Sequence, residues 1–286
     1  MRTDLAMESE QQAAAGGDIP GLEKTVRIIE GAQLELTEIR ITGDEAARRL
    51  GRAKGTYITA RSTSGRLCDA CECSAERARA LAGVLTGLIG EKGRFLIVGL
   101  GNTEITPDSL GPRTASQVLA TRHIKKLASD LDTSELAETA VIAPGVMAQT
   151  GMEAQTIVRS LCRETEPELV IAVDALACAE LGHLGSVVQL CSTGISPGSG
   201  VENARAELSE ATLGVPTVAI GVPTVTDCAV IAEQCGGELE ERFSGMIVAP
   251  RDIDALVKRT AELISEAVNL ALHPTLSPED LRLIVG

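Results

Sequence analysis

The stretch "FLIVGLGNTEITPDSLGPR", Phe95–Arg113, decides the fold class. It opens as an unbroken apolar run, which is typical of a strand buried on both faces of a parallel sheet. Two glycines follow one residue apart, and a lone acid, Asp108, precedes a helix predicted to begin near Leu110. Glu104 stands where a dinucleotide-binding loop has its third glycine, so this strand–loop–helix unit does not predict a nucleotide site.

Similar apolar runs recur along the chain and alternate with helical patterns. They read "AVIAPGV", "LVIAVDAL", "SVVQLCS" and "VPTVAIGVP", after three earlier strands in "KTVRIIEG", "LELTEIRIT" and "TYITARS". This order predicts a three-layer α/β/α domain with a mostly parallel sheet and an N-terminal β-rich elaboration. We expect one domain over residues 21–286. Residues 1–20 are polar and Gly/Ala-rich in their later part, which predicts a mobile segment.

Composition excludes several classes of partner. The net charge is −14, and a chain this acidic is repelled by nucleic-acid phosphates. Aromatic residues make up 1% of the chain, so no stacking platform for single strands is expected. No run reaches the roughly 18 apolar residues of a membrane helix. The N-terminus lacks a basic-then-apolar leader, and we therefore expect a cytoplasmic protein with no direct nucleic-acid or membrane partner.

The eight cysteines are expected to be free thiols, because no export signal is visible. The cluster "CDACEC" (Cys68, Cys71 and Cys73) is either a metal site or a thiol-bearing loop. A zinc site needs a fourth ligand, and no nearby histidine or second CxxC supplies one. No histidine pair has HExxH spacing. We expect no metal and no cofactor.

Two acids follow apolar strands, where the functional groups of α/β sheets gather. Asp108 comes after the Phe95–Leu100 strand, and Asp174 is expected to end the strand "LVIAV". If two such acids meet, they share one proton, so that one can activate water while the other protonates a carbonyl or an amine. The alternatives are structural: Asp108 as a helix cap and Asp174 as a loop ligand. Asp227 lies beyond another strand and is a third candidate.

Residues around these acids complete the candidate site. The loop "TGISPGSGVEN", Thr193–Asn203, is either an ordinary flexible loop or a wrap for a peptide backbone or oxyanion. Arg113 is expected to tune the ionisation of Asp108. The groups expected to position a peptide or stabilise an oxyanion are Gly101, Asn102, Gly198, Ser199 and Asn203.

Long motifs between Phe95 and Pro274 resemble the germination protease (spore endopeptidase) family. They are "VGLGNTEITPDSLGPR", "APGVMAQTGMEAQTIV", "PELVIAVDALA", "STGISPGSGVENARAELSEATLGVPTVAIGVPTVTDC" and "MIVAPRDIDALVKRTAELISEAVNLALHP". The resemblance implies an atypical aspartic endopeptidase that degrades small acid-soluble spore proteins in the spore core during germination. It also implies an inactive zymogen, self-cleavage and a homotetramer, and it places the catalytic pair on Asp108 and Asp174.

The N-terminal stretch "RTDLAMES", Arg2–Ser9, resembles the self-processing segment of that family and, in form, its substrate site. The resemblance implies a cut between Asp4 and Leu5, and the chain is then either the precursor or an already shortened form. The strand, GxGN and following acid are also similar to hydrogenase-maturation peptidases, which use acids here around nickel. A metal-dependent peptidase of that fold and a non-enzymatic α/β binding module therefore remain as alternatives.

Overall fold

The computed structural model describes residues 3–14, 19–67, 69, 73–127, 133–134, 136–198, 206–277 and 280–281. Within these residues, nine strands form one sheet: β1 (Leu22–Ile29), β2 (Leu34–Ile41), β3 (Gly55–Ser62), β4 (Arg94–Gly99), β5 (Glu138–Ile142), β6 (Leu169–Cys178), β7 (Val187–Cys191), β8 (Thr217–Asp227) and β9 (Ile247–Val248). The helices are α1 (Ala6–Ala14), α2 (Asp44–Leu50), α3 (Ser74–Ile89), α4 (Leu110–Ala115), α5 (Arg122–Leu127), α6 (Met147–Thr150), α7 (Ala154–Thr165), α8 (Glu210–Leu213), α9 (Cys228–Gln234) and α10 (Ile253–Leu272).

The sheet is mixed, with the strand order β1-β2-β3-β7-β8-β6-β4-β5 and β9 paired to β8. Strands β8, β6, β4 and β5 run parallel to one another. The pairs β1–β2, β2–β3, β3–β7, β7–β8 and β8–β9 are antiparallel. The α/β class is therefore confirmed, but the expectation of a mostly parallel sheet is wrong. Eight residues separate Cys178 from Val187, and a parallel crossover needs about a dozen or more, so β7 must run antiparallel.

Helices cover both faces of the sheet, which confirms the three layers. Along β6, Ile171 and Val173 face an apolar core formed with α3, α10 and α4. Ala172 faces a second core with α7 and α8, and Leu176 faces a third with α1 and α2. The alternation follows from the two-residue period of a strand.

The N-terminal elaboration belongs to the same sheet. β1 and β2 form the expected hairpin, and β3 joins it to β7. β1 is the edge strand, and its Val26 and Ile28 side chains are exposed.

The segment expected to be mobile contains an ordered helix instead. Residues 3–14 are described, and Leu5 and Ala6 are fully buried in the core beneath α1. The segment is held because the three consecutive side chains of "LAM" are buried in that core. The polar residues around "LAM" made the whole segment look mobile.

The cysteines differ in state. Cys162, Cys178 and Cys191 are free and buried, as expected of small core residues. Cys73 is disulfide-bonded, so the free-thiol expectation is wrong for it, and Cys68 and Cys71 lie outside the described residues.

In the described part of the chain, no helix is both long and apolar enough to span a bilayer.

Candidate active site

Asp108 lies beyond the carboxyl end of β4, at the end of a short 3-10 turn, Thr106–Asp108. The backbone N–H of Asn102 donates to Asp108 Oδ2 at 2.8 Å. Helix α4 begins two residues later, and the Ser109 side chain that precedes it makes no capping bond. The Asp108 carboxylate is therefore held by a bond across its own loop, while a cap on α4 stays the alternative role.

Two glycines let this loop fold closely onto the strands. Gly101 has φ +122°, and a Cβ there would lie 1.9 Å from the carbonyl oxygen of Asp108. A Cβ on Gly111 would lie 2.4 Å from the carbonyl oxygen of Val173, which directly precedes Asp174. Both positions exclude any side chain, because the atoms met are backbone atoms that cannot move aside.

Asp174 lies inside β6 and is 4% exposed. Its Oδ1 accepts from the N–H of Ala175 at 2.9 Å. The expectation that Asp174 ends its strand is wrong, because β6 continues to Cys178 through its pairing with β8. The pairing with β4, however, ends at Gly99 and Val173, so Asp174 still lies at the carboxyl edge of the shorter neighbour.

The two acids are brought to the same region by topology. β4 and β6 are adjacent and parallel, and the turn that ends at Asp108 packs against β6 and β8. Asp174 points to the same face as Ala172 and Leu176, at the boundary between the core under α7 and the core under α1.

Asn102 and Arg113 both support the loop. Asn102 Oδ1 accepts from the N–H of Glu104 at 3.0 Å and from Gln149 Nε2 at 2.8 Å. Arg113 is exposed and donates from Nε to Ser109 Oγ at 3.0 Å. These bonds fix the shape of the loop, while an effect of Arg113 on Asp108 stays a prediction.

Other predicted site residues have different outcomes. Asp227 ends β8 and caps α9, since its Oδ1 accepts from Ala229 N–H at 2.7 Å. Gly198 is half-buried at the end of a described stretch, and its oxyanion role stays a prediction. Ser199 and Asn203 lie outside the described residues.

The backbone around Asp4 and Leu5 is bound in a cleft between β6 and β7. The Asp4 N–H donates to the Ala177 carbonyl at 3.1 Å, and Ala177 N–H donates back to Asp4 Oδ2 at 2.9 Å. Gln189 Nε2 donates to the Asp4 carbonyl at 2.9 Å, and Ala6 N–H donates to Gln189 Oε1 at 2.6 Å. Leu5 is fully buried between these contacts.

Four residues further on, Glu8 is anchored in the same cleft and is 3% exposed. The N–H groups of Ala179 and Glu180 donate to its carboxylate at 2.7 and 3.1 Å. His183 Nδ1 lies 2.5 Å from Glu8 Oε1. This carboxylate is thus satisfied by backbone and imidazole together, as a buried charge must be.

A cavity of about 560 Å³ opens beside the bound segment. Arg52 projects into it and donates from Nη2 to the Thr3 carbonyl at 2.9 Å. Burial lowers the pKa of Arg52 from its usual value. Residues that line the cavity include Thr3, Asp4, Arg52, Gln189, Thr193 and Gly221.

Gln189, Arg52 and His183 were not predicted as site residues. The signal for Gln189 was a single polar side chain within the buried strand "VVQLC", since such a group needs a hydrogen-bonding partner. Arg52 lies in a loop and His183 ends a 3-10 turn, Leu181–His183, and neither belongs to a motif. In the described part of the chain, no three histidine, cysteine or acidic side chains cluster in a way that could hold a metal ion.

Comparison with known families identifies the chain as a peptidase, since the model that matches residues 2–236 is described as germination protease. That match spans most of the 286 residues. The chain belongs to the germination protease family.

Curated relatives cover the chain along its length. The germination protease of Clostridium acetobutylicum is 34% identical over 328 residues, which cover 100% of this chain and 99% of the relative. That of Caldanaerobacter subterraneus is 34% identical, with 98% and 97% covered. That of Halalkalibacterium halodurans is 36% identical over 264 residues, with 85% and 70% covered.

Among solved structures, the chain is similar to a NiFe hydrogenase maturation protease from Thermococcus kodakarensis. The two are 20% identical with a TM-score of 0.37, over 65% of this chain and 98% of the other.

Proposed function

We propose that this chain is an endopeptidase of the atypical aspartic type that begins the degradation of small acid-soluble spore proteins during germination. Membership of the germination protease family supports peptide hydrolysis. The observation that carries the assignment of Asp108 and Asp174 is the meeting of the Asp108 turn with β6 at the carboxyl edge of β4. Asp108 is placed by a bond across its loop and Asp174 by the sheet, so neither depends on a flexible segment.

The two acids act in complementary protonation states. The ionised carboxylate takes a proton from water, whose oxygen bonds to the scissile carbonyl carbon. The protonated acid hydrogen-bonds the carbonyl oxygen while negative charge develops there. The C–N bond then breaks, and the departing amine takes a proton from the dyad. Gly101, Asn102, Gly198, Ser199 and Asn203 position the peptide in this proposal, which needs no metal or cofactor.

The proposal includes self-cleavage between Asp4 and Leu5 and thus a zymogen. It is supported by the way residues 3–8 lie in the cleft, with backbone groups on either side of Leu5 bound by Gln189. The proposal further includes a homotetramer in the cytoplasm of the spore core. Light scattering on the purified protein would measure the mass of the oligomer.

The test replaces each acid by its amide. Asp108→Asn and Asp174→Asn should each lower the rate of peptide cleavage by roughly 10⁴-fold, since an amide cannot relay protons. Mass spectrometry would follow cleavage of a small spore protein and of the Asp4–Leu5 bond. Asp44→Asn, an exposed carboxylate on α2, is the matched control and should keep the wild-type rate. More than a tenth of wild-type activity in either dyad variant, with unchanged thermal unfolding, would rule out the dyad.

A chelator distinguishes this chemistry from that of a metal-dependent peptidase. Dialysis against excess EDTA should leave the cleavage rate within twofold, because protons and not a Lewis acid activate the water. A rate that collapses and returns with an added divalent cation would contradict the dyad.

A further inference from the structure

We propose that Gln189 is a catalytic residue, and that the cleft now holding residues 3–8 is the site that reads the substrate. The inference rests on the proposed function, because it takes Asp4–Leu5 as the bond that is cut. Its main observations are the contacts that β7, the end of β6 and the loop after β6 make with the N-terminal segment.

Gln189 binds both peptide groups that flank Leu5. Nε2 donates to the carbonyl oxygen of Asp4, the carbonyl of the proposed scissile bond, at 2.9 Å, and Oε1 accepts from Ala6 N–H at 2.6 Å. The partners fix the orientation of the carboxamide, since a carbonyl can only accept and a backbone N–H can only donate. Gln189 is 6% exposed and lies on a strand, so its N–H is aimed before any reaction starts.

A preorganised donor at this oxygen stabilises the charge that develops when water attacks. The C–O bond with water forms, the C–N bond breaks, and the carbonyl oxygen carries negative charge in between. Gln189 exchanges no proton in this step and remains a neutral donor throughout. Such donors act most strongly in sites from which bulk water is excluded.

Gln189 and Asp174 lie in one row of the sheet. Gly221 of β8 pairs with Gln189 on one side and with Asp174 on the other. Paired residues point to the same face, and two strand spacings separate the outer residues by about 10 Å. Gly221 places no side chain between them, and the side chain of Leu176 packs over it, since its Cδ1 would lie 2.5 Å from a Cβ at Gly221. The cavity beside Asp4 and Gln189, which Leu176 and Gly221 also line, leaves room for a water molecule next to the proposed scissile carbonyl.

The rest of the cleft reads side chains. The Ala177 N–H binds the acid before the cut, and the buried core accepts a large apolar residue after it, as it does Leu5. Ala6 is fully buried, which leaves room only for a small side chain. His183 and two backbone N–H groups then bind an acid at the position of Glu8. Of these contacts, that of His183 is made by a side chain, which makes His183 the specificity residue of the proposal.

The first experiment compares self-cleavage of full-length variants. Gln189→Met keeps the length of the side chain without its donor. Gln189→Glu keeps the acceptor for Ala6 N–H but places negative charge beside the oxyanion. Both should slow the cut at Asp4–Leu5 by about a hundredfold or more. Gln155→Met is the control, because Gln155 donates to a backbone carbonyl on α8, away from the cleft, and its rate should match the wild type.

The second experiment separates chemistry from binding with a peptide that has the sequence of residues 2–10. Gln189→Met should lower kcat. A peptide with glutamine in place of Glu8 should have a roughly tenfold higher KM than the Glu8 peptide in the wild type, because a hydrogen bond to the acid is lost. In His183→Leu the two KM values should be equal, and their ratio does not depend on competition from the tethered segment. A third readout needs no activity: in the Asp174→Asn protein, Gln189→Met should speed hydrogen exchange at the Ala6 amide.

The outcomes are distinct. If the wild type cuts and Gln189→Met cuts equally fast, the catalytic role of Gln189 is wrong while the proposed function stands. If His183→Leu keeps the wild-type ratio between the KM values of the two peptides, the specificity role is wrong. If the wild type cuts a small spore protein but neither its own bond nor the peptide, the proposed function stands and the role of this cleft is wrong. If it cuts none of the three, the proposed function fails, and the catalytic role fails with it.

Discussion

The two halves of the sheet divide the work of the candidate site. The parallel half, β5-β4-β6-β8, ends in the loop of Asp108 and carries Asp174. The antiparallel half, β1-β2-β3-β7, carries no candidate acid and binds the N-terminal segment through Gln189 and the floor beneath α1. The first half carries both candidate acids and holds Asp4 through Ala177, and the second supports the peptide groups around Leu5 through Gln189.

This difference shows why each half needs its own strand direction. Parallel strands end at a common edge, which gathers loops and their acids. An antiparallel strand next to that edge has its central residues, not its end, beside the site. Gln189 is such a residue, and its strand β7 is paired with β3 on one side and with β8 on the other. Mutations should therefore affect the two halves separately, and four predictions test this in order of expected effect.

The largest effect is expected for Gly111→Ala, in the parallel half. The new Cβ would lie within 2.5 Å of three backbone atoms, those of Leu100 and Val173. We expect a loss of about 4 kcal/mol in the free energy of unfolding, measured by urea titration. Gly87→Ala on α3 is the control, because nothing lies near its Cβ and alanine favours a helix. A neutral Gly111→Ala would show that α4 does not rest on the strands as described.

Leu5→Ala tests the antiparallel half. Leu5 is fully buried, and removing such a side chain costs about 3 kcal/mol. The loss should appear as faster hydrogen exchange in α1, with exchange in α10 unchanged. Met147→Ala, an exposed apolar residue, is the control and should alter neither helix. Equal acceleration in α1 and α10 would contradict the independence of the two halves.

Acid should destabilise the parallel half through His273, at the end of α10. Burial lowers its pKa from 6.5 to about 4, so between these values the unfolded chain binds a proton that the folded chain does not. The free energy of unfolding is therefore not reduced by this group above pH 6.5, and it falls as the pH is lowered from 6.5 towards 4. At pH 5 this difference corresponds to about 2 kcal/mol. His273→Leu should lose less stability than wild type between pH 7.5 and 5, and an identical loss would contradict the buried neutral ring.

The smallest effect is expected at the outer edge of the antiparallel half. Val26 on β1 is 54% exposed, so Val26→Ser should change the free energy of unfolding by at most about 0.5 kcal/mol. It should leave peptide cleavage unchanged. A larger loss, measured by the same urea titration, would show that β1 is covered in solution.

Sequence patterns predicted the parallel half better than the antiparallel half. Apolar runs followed by acids are local signals, and they point directly to Asp108 and Asp174. The order of strands is not local, and the direction of β7 follows from a connection too short for a crossover. The sequence "SVVQLCS" itself has the same apolar pattern as the other buried strands and gives no sign of its direction.

The bound N-terminal segment was missed for the same reason. Asp4 and Ala177 are 173 positions apart, and nothing in "TDLAMES" shows that this stretch has a partner in β6. Its polar residues made it look mobile, although Glu8 is polar because two backbone N–H groups and His183 bind it. A buried charge looks like a surface charge until its partners are known.

The covalent link between α1 and the rest of the chain sets a threshold for any competing peptide. A tethered segment acts at an effective concentration on the order of millimolar, whatever the total amount of protein. A free peptide with the same contacts therefore occupies the cleft only at comparable concentrations while residues 3–14 stay in place. Detachment of α1 would lower the apparent KM without altering a single contact in the cleft. The attachment of this one helix thus controls how much substrate the protein needs.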